Sequence, residues 1–388
     1  MGRFELMGFE EKIVPMETIE EHTNFYTLPR GSDGKLINGS YNRVWKEDKY
    51  IGSINLTKIQ EYGRMDGMGN LRIRKLTPKE CWRLMGFSDE SFEKAQSVNS
   101  NTQLYKQAGN SIVVDVLEKI INNLHLELEH IKLLELFGGI GACSEAMDNL
   151  GLDYEIADYV EIDKYACASY NAIHGTNFLP QDIQEWDKNI AVDFIMHGSP
   201  CQDFSLAGKQ AGGDEGSGTR SSLMYETIRI VEKLRPKYVL WENVKNVIGK
   251  KHRHNFDNYL ERMSELGYTN HYQVLNAKDY GVPQNRERVF TLSILGDDEF
   301  EFPPKEELKI KLKDVLEDKV DEKYYLSQAM VNYMTGVNQK PSKFPRGERF
   351  TSNINRKNQD IGNAVTTNAG NRPTDNFVVE KEKWSDLD

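Results

Sequence analysis

The 388-residue sequence has four cysteines, Cys81, Cys143, Cys167 and Cys201, and no two form a Cys-x-x-Cys pair. That spacing supplies neither a disulfide framework nor a zinc site, and it fits a reducing compartment. Long apolar runs are also missing, and the first residues carry no signal-peptide pattern. These absences predict a soluble, cytoplasmic protein with no metal and no membrane partner. Excess positive charge is lacking too. The formal net charge is −11 at pH 7, which counts against a nonspecific nucleic-acid binder, although a local basic face can hold phosphates on an acidic protein. The literal G-x-G-x-x-G pattern of dinucleotide sites does not occur.

What is present begins with His197-Gly198-Ser199-Pro200-Cys201-Gln202-Asp203-Phe204-Ser205. The preceding run Val192 to Met196 reads as a buried strand. Cys201 then falls at a strand's C-terminal edge, where open parallel sheets build their sites. Most free cysteines are small buried hydrophobes, so the thiol alone decides nothing. Gly208, Gly212, Gly213, Gly216 and Gly218 follow, enough glycine for a lid.

The chain is long enough for a large domain and a smaller one. Residues 1–72 read as short strands between turns, with Phe25-Tyr26, Tyr41 to Trp45 and Tyr50 to Gly52 as the strand signals. Thr77, Pro78 and Glu80 form a capping-box pattern, with Gly86 as the stop. Asn110 or Ser111 can cap a helix whose apolar face is Ile112, Val113, Val116, Leu117 and Ile120.

Ile131 to Leu136 then reads as a strand running into Phe137-Gly138-Gly139-Ile140-Gly141, with a helix from Ser144 to Leu150. Tyr159 to Asp163 is a second strand ending in acid, the position at which a carboxylate can hold ribose hydroxyls. Gln181-Asp182-Ile183 reads as a third strand end. Leu223 to Leu234 reads as a helix, and Tyr238 to Trp241 as a buried strand delivering Glu242-Asn243-Val244. Phe256 to Leu266 is amphipathic. Arg286 and Arg288 at i and i+2 would share a strand face, or else form two surface salt bridges. Leu308 to Leu316 reads as a helix or an amphipathic extension. Lys340 to Arg372 holds seven Lys and Arg against two acids, a composition shared by phosphate-binding surfaces and solvated loops.

Taken together, these segments resemble the cytosine-C5 DNA methyltransferase family. The resemblance rests on Pro200-Cys201-Gln202, Glu242-Asn243-Val244, Gln284-Asn285-Arg286-Glu287-Arg288, the glycine turn, and the stretches Arg74 to Phe87 and Gln107 to Leu117. The last two stand in the family's ninth and tenth motif positions yet precede the glycine turn, so the order looks circularly permuted.

The resemblance implies an α/β fold: a Rossmann-like S-adenosylmethionine-dependent methyltransferase sheet with a second, smaller, mostly β target-recognition domain. The expected layout is residues 1–72 as part of that recognition domain and 73–130 as helices closing onto the catalytic domain. The catalytic domain would be 131–300 and the remainder of the recognition domain 301–388. The implied activity is transfer of a methyl group from S-adenosylmethionine to C5 of a flipped-out cytosine in double-stranded DNA.

The catalytic residues would be Cys201, Glu242, Arg286 and Arg288. Cys201 would add to C6, Glu242 would contact N3 and the exocyclic amine, and Arg288 would hold O2. Arg286 would support Glu242 or the closed loop. S-adenosylmethionine would meet Phe137, Gly138, Gly139, Gly141, Glu161, Ile162, Asp182, Ile183, Pro200, Leu223, Asn110 and Ser111. DNA would meet Gln202, Ser205, Arg220, Arg346, Arg349, Arg356, Lys357 and Arg372. A bacterial or phage modification enzyme is implied, acting as a monomer near the nucleoid, with a cognate restriction endonuclease among its partners. The competing readings are an RNA cytosine-5 methyltransferase and an idle DNA-binding protein on the same fold.

Overall fold

The structure is a computed structural model. It describes residues 41–46, 49–55, 71–124, 126, 129–200, 223–327, 360–367, 369 and 375–381. The chain divides into a smaller unit, residues 1–73 with 379–388, and a larger one, residues 74–378. In the smaller unit, β1 (Tyr41–Lys46) and β2 (Lys49–Asn55) pair antiparallel, with a register shift between Val44 and Trp45.

The larger unit is built on a six-stranded sheet. Its strands are β3 (Ile131–Leu136), β4 (Tyr154–Val160), β5 (Phe194–His197), β6 (Tyr238–Val244), β7 (Tyr268–Asn276) and β8 (Glu287–Leu295). They lie in the order β4-β3-β5-β6-β8-β7. The first four are mutually parallel, and β8 runs antiparallel between β6 and β7. Strands buried on both faces read as continuous apolar runs; Phe194-Ile195-Met196 does so, and Leu133 to Leu136 does so except at buried Glu135, which accepts from Ser144 Oγ at 2.7 Å and Tyr170 Oη at 2.6 Å.

Alternate residues feed opposite cores. Leu133, Phe194, Met196 and Leu240 join one cluster, with Trp82, Leu117 and Met147. Leu134, Ile195, Val239 and Trp241 join the other, with Ile228, Phe256 and Tyr259. The helices covering the sheet are α1 (Pro78–Arg83), α2 (Asp89–Val98), α3 (Asn101–Asn110), α4 (Val114–Asn123), α5 (Ala142–Asn149), α6 (Lys164–His174), α7 (Met224–Leu234) and α8 (Arg253–Glu265).

The capping box forms as the sequence predicts. Thr77 Oγ1 accepts from Glu80 N at 3.1 Å, and Glu80 Oε2 accepts from Thr77 N at 2.8 Å. The buried Glu80 carboxylate also receives both terminal nitrogens of Arg74, at 2.8 and 2.9 Å. Elsewhere the local reading needs correction. Neither Asn110 nor Ser111 caps α4, whose N-cap is Val113 without a side-chain hydrogen bond. Asn110 instead ends α3, and Ser111 is that helix's C-cap.

Gln181 to Ile183 is not a strand but extended chain entering a turn. The Gln181 N–H is taken by the Glu161 carbonyl at 2.8 Å. Residues 308–316 hold only a 3₁₀ turn at Leu312–Val315, with Val315 buried in the core and Leu312 and Leu316 packed against it. The strand expected at Phe25-Tyr26 lies outside the described residues. Among those described, no helix is long and apolar enough to cross a membrane.

Candidate active site

Parallel pairing brings the C-terminal ends of β3, β4, β5 and β6 to one sheet edge. A cavity of about 630 Å³ opens there, large enough for a nucleoside-sized ligand with a side arm.

Its first wall is the turn after β3. Phe137 and Gly139 take left-handed conformations, φ 54° and 56°. For Phe137 this costs on the order of 1–2 kcal/mol. Gly138 has no room for a side chain, since a Cβ there would lie 2.7 Å from the Tyr159 ring. The Cβ position of Gly139, in contrast, is open. Tyr159 Oη donates to the Gly139 carbonyl at 2.6 Å. The Glu161 carboxylate accepts from Gly139 N at 3.2 Å and Asp163 N at 2.8 Å. Burial pushes the Glu161 carboxyl above the usual range, against the pull of those N–H groups.

Asp182 and Ile183 reach the cavity from the turn beyond residue 180, where Asp182 Oδ1 accepts from Gln184 N at 3.0 Å. Phe137, Val160, Ile162, Pro200 and Leu223 supply apolar lining, and Asn110 and Ser111 enter from the end of α3. Ile162, 67% exposed at the pocket rim, leaves its side chain accessible from the cavity. These residues fit S-adenosylmethionine. Apolar walls can hold a ring, Glu161 can take ribose hydroxyls, and open space over Gly139 lets a ligand approach the backbone.

The far end of the cavity is built by β6 and β8. Glu242 is 8% exposed, and its Oε1 lies 2.9 Å from Arg288 Nε. Burial raises the Glu242 carboxyl pKa, while the Arg288 and Arg286 charges oppose the rise. Arg286 donates to three carbonyls, Ser111 at 2.8 Å, Val365 at 3.0 Å and Gly109 at 3.2 Å. It thereby joins the β8 side of the site to the end of α3 and to residues 360–367.

The loop carrying Pro200 is pinned from beneath. Trp241 Nε1 donates to Ser199 Oγ at 2.9 Å, and Asn243 Nδ2 donates to the Ser199 carbonyl at 3.2 Å. Fully buried His197 stacks on Trp241, centroids 5.6 Å apart and planes within 5°. Desolvation pushes its pKa down to about 3, which keeps it neutral.

The structure thus gathers Glu242, Arg286, Arg288, Phe137, Gly138, Gly139, Glu161, Ile162, Asp182, Ile183, Pro200, Leu223, Asn110 and Ser111 around one cavity. Gly141 stands just behind, with φ 82° as the N-cap of α5. Cys201, Gln202, Ser205, Arg220, Arg346, Arg349, Arg356, Lys357 and Arg372 lie outside the described residues. Sequence reasoning missed Asn243, Ser199 and Gln284. Buried Gln284 links the Leu84 carbonyl to the Val365 N–H at 2.5 and 2.8 Å. All three stand inside stretches already singled out, beside the charged residues that drew attention.

The family model for C-5 cytosine-specific DNA methylase matches residues 10–125 and 131–384. Among curated proteins, the chain is 35% identical over 259 residues to the type II methyltransferase M2.ScrFI of Lactococcus lactis subsp. cremoris. That match covers 52% of this chain and 72% of the relative. It is 33% identical over 285 residues to the orphan methyltransferase M.SPRI of Bacillus phage SPR, covering 63% of each. Among solved structures, the S. pombe Dnmt2 methyltransferase aligns with a TM-score of 0.42 and 20% identity, over 54% of this chain and 66% of that one.

Proposed function

The chain belongs to the C-5 cytosine-specific DNA methylase family, in circularly permuted order, and on that premise we propose that it methylates cytosine C5 in double-stranded DNA. The observation that carries the reading is the pairing of buried Glu242 with half-buried Arg288 at the same sheet edge as Pro200, beside a pocket fitted to a nucleoside cofactor. The family model meets itself across residues 126–130, where α4 leads into β3. The permuted order is sterically simple because α4 packs against α5, the first helix after the glycine turn.

Cofactor binding falls to Phe137, Gly138, Gly139, Gly141, Glu161, Ile162, Asp182, Ile183, Pro200, Leu223, Asn110 and Ser111. S-adenosylmethionine, when bound, supplies an electrophilic methyl group. Glu161 would accept from the ribose hydroxyls, and Asp182 from the adenine amino group.

The target cytosine leaves the duplex, at a cost of a few kcal/mol of stacking and pairing. The Cys201 thiolate adds to C6, forming an S–C6 bond and moving electron density onto C5. Glu242 donates its proton towards N3 as negative charge develops there, and Arg288 holds O2. With the methyl group on C5 and S-adenosylhomocysteine left as the neutral leaving group, water would accept the C5 proton, C5=C6 would re-form as the S–C6 bond breaks to return the thiolate, and the N3 proton would go back to Glu242. Arg286 positions Arg288 and the end of α3 relative to each other. Gln202, Ser205 and Arg220 approach the DNA around the flipped base, and Arg346, Arg349, Arg356, Lys357 and Arg372 hold phosphates.

In this reading residues 1–72 and 301–388 form the target-recognition part; within the larger unit, Gly362–Asn363 pairs with Gln284–Asn285. The protein works as a monomer in the cytoplasm of a bacterial cell, as a host or phage modification enzyme, with a cognate restriction endonuclease as partner.

The deciding experiment is base-resolution bisulfite sequencing of DNA from cells expressing the chain, beside Cys201→Ala. Methylcytosine in one short motif, absent with Cys201→Ala, is the expected result. Methylation that survives the substitution would remove Cys201 from the mechanism. No methylation with either protein would overturn the DNA assignment and leave RNA as the substrate to examine.

A further inference from the structure

The turn that follows Glu242 has a composition the catalytic site does not use. Lys245 to His254 contains Lys245, Lys250, Lys251 and Arg253 with His252 and His254, and no acid. This run sits in a chain whose net charge is −11. The isolated reading is a solvated turn, and three observations argue for more.

The first is place. β6 runs parallel to β5, so the turn leaves the sheet at the same edge as Pro200 and Glu242. Lys245 Nζ lies 3.0 Å from Glu287, the residue next to Arg288, which itself pairs with Glu242.

The second is rigidity. Residues Lys245–Ile248 form a 3₁₀ turn, and Gly249 and His252 continue it by donating to the Asn246 and Gly249 carbonyls at 3.0 and 2.9 Å. Val247, His252 and Asn255 are buried, whereas Lys250 and Lys251 between them are exposed. The two ammonium groups are therefore carried on a fixed support. Less backbone entropy is lost when they are engaged.

The third is direction of charge. The turn runs straight into the first residues of α8, so the positive end of that helix dipole adds to the same field. Arg253 at the helix start is held by Asp257 at 2.7 Å and lies over the Phe256 and Tyr272 rings, 5.7 and 5.9 Å from their centroids. The Asp257 carboxylate offsets its charge, so Arg253 adds little to the net field here.

We infer that the Lys245–His254 turn is a second DNA-backbone contact, formed by the catalytic unit itself, that holds phosphates of the target strand beside the flipped cytosine through Lys250 and Lys251. The inference rests on the proposed duplex-DNA substrate. Its logic is that a base held at Glu242 brings its own flanking phosphates to this edge, where cations are fixed. Contacts of this kind set register and add affinity without reading sequence.

The test uses the full chain and a fluorescein-labelled 30-base-pair duplex of mixed sequence, titrated from low to moderate salt. Three variants are compared with wild type: Lys250→Glu with Lys251→Glu, Lys250→Ala with Lys251→Ala, and Lys132→Glu at the opposite end of the sheet. Affinity for S-adenosylmethionine reports folding. The expected result is a roughly tenfold or greater loss of duplex affinity in the glutamate pair. The slope of log K against log salt should be shallower by about 1–2, since each lost phosphate contact removes about 0.9. The alanine pair should show the same change in slope with a smaller loss, and Lys132→Glu neither.

Wild-type affinity and slope in both pairs, alongside a wild-type protein that binds and methylates duplex DNA, would overturn this inference and leave the function standing. A wild-type protein that retains a structured RNA hairpin but not the duplex would overturn the proposed function, and this surface with it.

Discussion

Arg288 reaches diagonally across adjacent antiparallel strands to place Nε 2.9 Å from Glu242 Oε1. The partner on β8 restrains the carboxyl, and burial keeps its pKa above that of a free glutamate. Protonated Glu242 is the donor form, so its contribution is present at low pH and lost as pH rises through the raised value. Glu242→Gln should lower kcat by about 100-fold or more and remove the loss of activity on the alkaline side that Glu242 imposes. Steady-state methyl transfer across pH checks this; an unchanged kcat and profile would exclude Glu242 as the acid.

Asn243 does its work through the backbone. Its side chain donates to the Ser199 carbonyl and accepts from Val244 N at 2.8 Å. Asn243→Ala would leave that carbonyl without its donor and loosen the loop two residues before Cys201. We expect kcat to fall about tenfold or more while affinity for S-adenosylmethionine changes less than threefold, since losing one buried hydrogen bond is worth about 1–3 kcal/mol. Equal losses in both would mean that the whole edge has collapsed.

Glu161 behaves in the opposite sense to Glu242. Its ionised form is the better acceptor for ribose hydroxyls, and burial raises its pKa. Cofactor affinity should therefore be full at high pH and weaken as pH falls through the raised value. Glu161→Gln should weaken binding of S-adenosylmethionine about tenfold or more, the scale of a hydrogen bond to a charged group, and should flatten that pH dependence. Calorimetric titration at several pH values reads both.

Gly109 tests how tightly the C-terminal segment is seated. A Cβ at this position would fall 2.2 Å from Thr367 N, and backbone cannot give way as a side-chain tip can. Gly109→Ala should destabilise the protein by about 1–3 kcal/mol and weaken cofactor binding by displacing Asn110 and Ser111. Thermal unfolding with and without S-adenosylmethionine would show it; wild-type values in both would mean that residues 365–367 move aside freely.

The sequence by itself determined the features that act over a few residues or repeat with a strand's period. Thr77 and Glu80 satisfy each other three residues apart, so the helix start is written locally. The apolar run Phe194 to Met196, and Leu133 to Leu136 apart from Glu135, read as buried strands because side chains on both faces demand cover. The charged groups Glu161, Glu242 and Arg288 stood at the ends of such strands, and parallel pairing carried the two glutamates to a common edge.

Only the tertiary structure decided which distant groups meet. Arg286 takes carbonyls 177, 175 and 79 positions away, and backbone carbonyls are alike at every residue, so no pattern announces them. Asn110 and Ser111 have the chemistry of N-caps, yet the packing of α3 against the core places them at a C-terminus. Asp182 reaches the cavity from a turn, not a strand, because its segment is fixed to Glu161 by a backbone hydrogen bond whose partner the residue types do not reveal. Local periodicity encodes hydrogen bonds between near neighbours, whereas contacts between remote backbone groups exist only once the cores have packed.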